Sequence, residues 1–211
     1  QELQLVHGMS PSSTALYITP FFLAFAAPGL FSAWMMHNIG INRTIIYGLL
    51  MTAASFFVLA AMDFSNFSLL LIAGLLALGF GLGAVMLAAS VALLSAANAE
   101  NAGTAGSLES VSYELGVGLG VTFFGVLLSQ IFMRKLTIDE RLASSLPQQI
   151  YHSINDALGT AEDIGGTRGD SIRNAALPAF EQAHSVVLLI SGTLCLLVAL
   201  HLAFSRNKFK P

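Results

Sequence analysis

Charge is what this sequence has least of. Lysine, arginine, aspartate and glutamate together make up 10% of its 211 residues, against 55% apolar, whereas a soluble globular domain carries about 25% charged residues. Mean hydropathy is +0.74. The few charges are also segregated, with none in 11–42, 44–62, 64–99, 115–133 or 182–205. A helix needs about 20 apolar residues to cross a hydrocarbon layer of roughly 30 Å, and a soluble helix needs a charged face that these windows lack. The composition excludes a soluble all-helical core. The fold class expected is an all-α membrane protein, a polytopic helical bundle.

Cysteine is nearly absent as well. The single Cys195 lies inside an apolar run, so no disulfide framework or thiolate metal cluster is expected, and it reads as a small packing residue. No metal, cofactor or catalytic constellation suggests itself, and nothing points to an enzyme or to nucleic acid. A leader is missing too: no basic stretch precedes an apolar one with a cleavage site. With Gln1 in place of an initiating Met, and an odd number of spans where helical transporters commonly pair similar halves, the expectation is a piece of a longer protein.

What is present divides into five spans, at about 13–36, 44–62, 67–94, 105–132 and 184–204. The third exceeds a perpendicular crossing and is expected to tilt or protrude. The short turn Asp63 to Asn66 makes the second and third antiparallel neighbours. Arg206, Lys208 and Lys210 follow the last span without an acid, the first turn (His37 to Arg43) carries only Arg43, and the second only Asp63. Positive residues favour the cytoplasm, which puts the tail 205–211 and the first turn inside. Residues 1–12, the second turn and 133–183 then face outward, although Arg134 and Lys135 oppose the rule. In 133–183 five basic residues are offset by seven acids. Gly165-Gly166 reads there as a flexible exposed connection, the patches 146–158 and 172–180 as short surface helices, and Pro178 as a bend before the last span.

Several features inside the spans call for explanation. Pro28, followed by Gly29, removes a helical hydrogen bond mid-span and is either a hinge beside a substrate cavity or a static kink. Gly79/Gly83 and Gly116/Gly120 are small-xxx-small pairs that allow close helix approach. The sharpest feature is Ser107-Leu108-Glu109-Ser110-Val111-Ser112-Tyr113-Glu114, because an intramembrane carboxylate is costly and a functional candidate by default. Glu114 falls about one turn inside the cytoplasmic edge of the hydrocarbon, while Glu109 is nearer the headgroups. Helical spacing puts Glu109, Tyr113, Gly116 and Gly120 on one stripe and Glu114 about 140° away, so the two acids do not share a proton as a close pair. A carboxylate drawn partly out of water can take up and release a proton near neutral pH, and the same charge attracts a lipophilic cation. Mutual exclusion of proton and cation would give antiport. The plainer reading is a structural acid bonded to another span, yet no span holds a basic residue to neutralise it. Tyr17, Phe21 and Phe25 form an aromatic stripe suited to flat cations, though packing and lipid contact explain most such rings. Trp34 reads as an interfacial anchor.

The order of these features resembles the C-terminal part of a major facilitator superfamily transporter. The group is the 14-span drug:proton antiporters of the QacA-type and methyl viologen resistance (SmvA-like) branch. Gln4-Leu5-Val6-His7-Gly8-Met9-Ser10-Pro11 is similar to the group's connection into its tenth span. Ala33 through Arg43 looks like a degenerate copy of the superfamily's cytoplasmic Gly-x-x-x-Asp-Arg-x-Gly-Arg-Arg loop. Gly40 and Arg43 match, while Ala33, His37 and Asn38 replace the first Gly, the Asp and the Arg, so this copy lacks the acid of the motif's gating salt bridge. Ala102 to Ser107 with Tyr113 to Gly120 resembles the penultimate span, and Ala179 to His184 onward the last. The resemblance implies spans 10 to 14 of a bacterial inner-membrane exporter that drives lipophilic and quaternary ammonium cations outward with inward-moving protons. The rest of the polypeptide, including its N-terminal half, would be this chain's partner. Rival readings are a facilitator for another small solute, which would favour basic and amide groups in the spans, and a non-transporting scaffold subunit, which would leave the acids idle.

Overall fold

Each charge-free window underlies a long helix, and the last two helices run well beyond theirs into charged sequence. A computed structural model describes residues 2–64, 68–98, 101–138 and 146–208. A π-helical turn, Glu2–Val6, leads into α1 (Pro11–Asn38), α2 (Ile41–Ala60), α3 (Leu69–Ser95) and α4 (Ala102–Lys135). A 3-10 turn, Gln148–Tyr151, then precedes α5 (Ile154–Ile164) and α6 (Gly166–Lys208). Five segments are long and apolar enough to cross a membrane: Pro11–Ser32, Ile41–Ala60, Leu69–Ser95, Ala102–Lys135 and Gly166–Ser205. The chain is a polytopic helical membrane protein. Asn66 of the second turn, Phe67 at the expected start of the third span, and Lys210 of the tail lie outside the described residues, as do Asp139, Glu140 and Arg141.

Local chemistry sets the helix ends. Gly40 adopts φ +83° between α1 and α2, a backbone region open to glycine but costly for other residues, so the chain reverses there in two residues. Ser68 caps α3 by accepting the Leu71 N–H at 3.2 Å, and Ser153 caps α5 by accepting that of Asp156 at 3.1 Å, satisfying donors that the first turn leaves open.

The chain divides into two compact units. One gathers residues 15–119 with 188–211. Within it α3 packs on two neighbours through opposite faces. A Cβ added at Gly79 or Gly83 would collide with the carbonyl oxygen of Phe21 or Phe25 on α1, and the would-be Cβ of Gly83 also lies 3.2 Å from the Pro28 ring. On the other face Gly81 meets Thr52 and Gly48 of α2, and Gly74 meets Leu59. The helix α6 joins α2 at Gly192, whose missing Cβ would lie 3.1 Å from Phe56 Cβ. These backbone approaches are what small residues make possible when lipid supplies no hydrophobic drive between helices. Pro28 is fully buried in this seam, and α1 stays helical through both of its prolines.

The other unit gathers 1–14 with 120–187 and corrects the reading of 133–183 as a flexible connection. It has an apolar core of its own: Phe132 of α4 and Leu136 just after it, Ile150, then Ile154, Ala157 and Ala161 of α5, and Ile172, Ala176, Ala179, Phe180 and Ala183 of α6. Residues 172–180, expected as a separate surface helix, belong to the continuous α6. Pro178 does not bend it off, because the apolar stripe of α6 meets this core on both sides of Pro178. The carbonyl that Pro178 leaves without a helical donor, that of Asn174, belongs to an exposed residue. Gly165 and Gly166 (φ +61° and +56°) make a tight reversal between α5 and α6, and a Cβ at Gly169 would collide with the Ala161 carbonyl.

Candidate functional site

Glu109 and Glu114 lie in the N-terminal half of α4, on a helix whose apolar stretch is only 6% buried within the chain. Glu109 is half-buried and Glu114 exposed. Among the described residues neither carboxylate has a hydrogen-bond or ion-pair partner. Tyr113 is 54% exposed, and flanking Leu108, Val111, Leu115 and Val117 are exposed too. Among the described residues a Cβ at Gly116 or Gly120 would meet nothing within 4 Å, so these glycines, unlike Gly79 and Gly83, pack against no described helix. Glu114 and Tyr113 beside it face outward from the described residues, and Glu109, on another side of the helix from Glu114, is only partly covered.

The aromatic stripe is placed elsewhere in the same unit. Phe21 and Phe25 stack with centroids 6.1 Å apart, half-buried, with their backbone against α3. Tyr17 is buried, and its hydroxyl donates to the Phe64 carbonyl at 3.0 Å, which commits it to holding the turn before α3. No contact among the described residues brings this stripe to the α4 acids.

The motif-like loop after α1 shapes a recess. Gly40 and Arg43 line an open cavity of about 650 Å³ together with Met36, Asn42 and the α3 end at Ala92, Ser95 and Ala96. Arg43 and His37 are exposed, and Gly29 meets nothing within 4 Å at its would-be Cβ.

One cluster went unread in the sequence. Nδ1 of His184 on α6 is in direct contact with Oε2 of Glu2, and Nε2 of His7 stands 3.9 Å from Oε1 of the same carboxylate. These residues come from opposite ends of the chain, and no spacing rule joins them. The one available signal was an acid and two histidines bordering apolar segments. Among the described residues no group of three or more His, Cys, Asp or Glu is placed to hold a metal ion.

No family model matches the chain. It is similar over 208 residues to the methyl viologen resistance protein SmvA of Salmonella typhimurium, in strains 14028s and LT2, with 34% identity over 99% of this chain and 42% of the relative. It is 25% identical to the tetracenomycin C resistance and export protein of Streptomyces glaucescens, over 97% of this chain and 39% of that protein. A 127-residue stretch, 60% of this chain and 24% of the relative, is 25% identical to the multidrug transporter protein MdtP of Bacillus subtilis. The chain therefore spans about two fifths of the length of the curated relatives it matches most fully, and it is a distant homologue of the SmvA proteins.

Proposed function

We propose that the chain is the C-terminal portion of a major facilitator superfamily 14-span antiporter that exports lipophilic or quaternary ammonium cations in exchange for protons across a bacterial inner membrane. The observation that carries this reading is the similarity to the SmvA proteins along 99% of the chain, together with two carboxylates in the first half of α4 that have no partner among the described residues. Methyl viologen is a flat aromatic dication, and a carboxylate in a low-dielectric wall attracts such a charge far more strongly than one in water. In this reading the open face of α4 looks toward the remainder of the longer protein, and Glu114, with Glu109 nearer the headgroups, lines the path between the two halves. Proton and cation compete for the carboxylate, so release of one accompanies binding of the other. Rocking of the halves then exposes the site to each side in turn. Phe21, Phe25 and Tyr113 supply aromatic faces, Tyr17 a packing contact. The protein performs no covalent chemistry in this scheme and is a transporter, not an enzyme.

The test places the full-length parent in vesicles and follows ethidium under an imposed proton gradient. A Glu114→Gln parent is expected to lose gradient-driven transport. Unchanged rate and pH dependence would sink the coupling role of Glu114.

A further inference from the structure

The cluster of Glu2, His7 and His184 has no part in that scheme. The side chains of Glu2 and His7 are 11% and 12% exposed, and that of His184 30%. Leu5 and Val6, from the same turn as Glu2, pack against the core built by α5 and the ends of α4 and α6. The segment leading into α1 is thus held by two apolar side chains and by this polar cluster. Of the unit's other titratable groups, the chain's amino end acts electrostatically on His184, and Tyr151 and His152 lie at the 3-10 turn, His152 exposed. Arg134 and Lys135 at the end of α4, Asp156, Glu162 and Asp163 on α5, and Arg168, Asp170 and Arg173 on α6 are exposed, and Glu181 is half-exposed one turn before His184.

We propose that Glu2, His7 and His184 form a proton-binding site that fastens the lead-in segment to α6 when the three side chains together carry no net charge. Fully deprotonated, the cluster has one negative charge; with one proton it is neutral; with two it is positive. Shielding from water disfavours either net charge, and the single proton belongs to the cluster as a whole rather than to one ring. With the segment released, Glu2 and His7 face water and His184 is uncovered on α6; in water imidazole titrates near about 6.5 and the carboxyl near about 4.3. At about pH 6.5 the two free imidazoles hold on average about one proton between them, the number the docked cluster prefers. Above that pH docking takes up a proton, and below it docking expels one. Linkage then makes docking strongest near about pH 6.5 and weaker on both sides, by up to about tenfold per pH unit. The site is separate from the α4 carboxylates and does not depend on the transport reading.

Hydrogen-exchange protection of residues 3–9 tests this in lipid nanodiscs between about pH 5 and pH 8, corrected for the intrinsic pH dependence of exchange. The chain's amino end is acetylated so that it adds no titrating charge. A bell-shaped protection profile is expected. Glu2→Gln leaves a cluster that is neutral without a proton, so its alkaline limb should vanish while the acid limb stays. His184→Gln should keep the alkaline limb and shrink the acid one. A flat or monotonic profile in the unaltered chain, or a bell that survives Glu2→Gln unchanged, overturns the proposal. Since the unaltered chain's profile is decisive alone, failure of a variant to fold does not shelter it.

Discussion

Gly79/Gly83 and Gly116/Gly120 have the same spacing, and the structure treats them oppositely. The first pair sits where α1 carbonyls leave no room for a Cβ, the second faces open space. Gly83→Leu is therefore expected to destabilise the chain by about 1–3 kcal/mol or more, read as reduced resistance to unfolding in detergent, whereas Gly116→Ala should be neutral or stabilising by up to about 1 kcal/mol. In the full-length parent the second substitution becomes costly only if that face packs. Tyr17→Phe removes the hydrogen bond to Phe64 and should cost about 0.5–1.5 kcal/mol in the same assay. Small-xxx-small spacing identified residues able to make close approaches, not the partner each would meet, because a partner is a property of tertiary arrangement. The α4 acids were legible for another reason: charge in an apolar helix stands out in any arrangement. The Glu2–His184 contact was not, since it joins chain ends that no local pattern relates.

Among elements, the spans were legible because charge exclusion is set by the solvent rather than by tertiary detail. The segment 133–183 was legible only in part. The patch 146–158 falls partly on the 3-10 turn and partly on α5, and 172–180 falls inside α6, but Gly165-Gly166 and Pro178 suggested looseness, and long-range packing overrode both. Ile172 is fully buried in the core this segment builds, and Ile172→Ala should cost about 2–5 kcal/mol. Gly166→Ala places a side chain at φ +56°, where a Cβ costs about 1–2 kcal/mol. Both are expected to raise hydrogen exchange in α5 while leaving α2 and α3 protected. Equal loss of protection in α2 and α3 would show that the two units do not unfold separately.

For the whole molecule, length and sidedness are linked. At 1.5 Å per residue, α4 with 34 residues is about 51 Å long and α6 with 43 about 65 Å, each well beyond the roughly 30 Å a crossing requires. If the basic tail is cytoplasmic, the sequence joining the fourth and fifth spans, which builds the core around Ile172, lies on the outer side. In a Cys195→Ala background, a cysteine at position 63 should react with a membrane-impermeant maleimide in intact cells, and one at position 43 only after permeabilisation. The reverse pattern would invert the topology and place the Glu2 cluster on the inner side.

The seam on α3 has a consequence for how substitutions would be tolerated along it. Gly79, Gly81 and Gly83 are buried while Phe80 and Leu82 between them are only partly so, since the odd positions serve α1 and α2 in turn. A saturation scan across 79–83 should therefore show intolerance at every second residue. Read without the structure, that alternation would be taken for the signature of an extended strand, although it arises here from a helix wedged between two others.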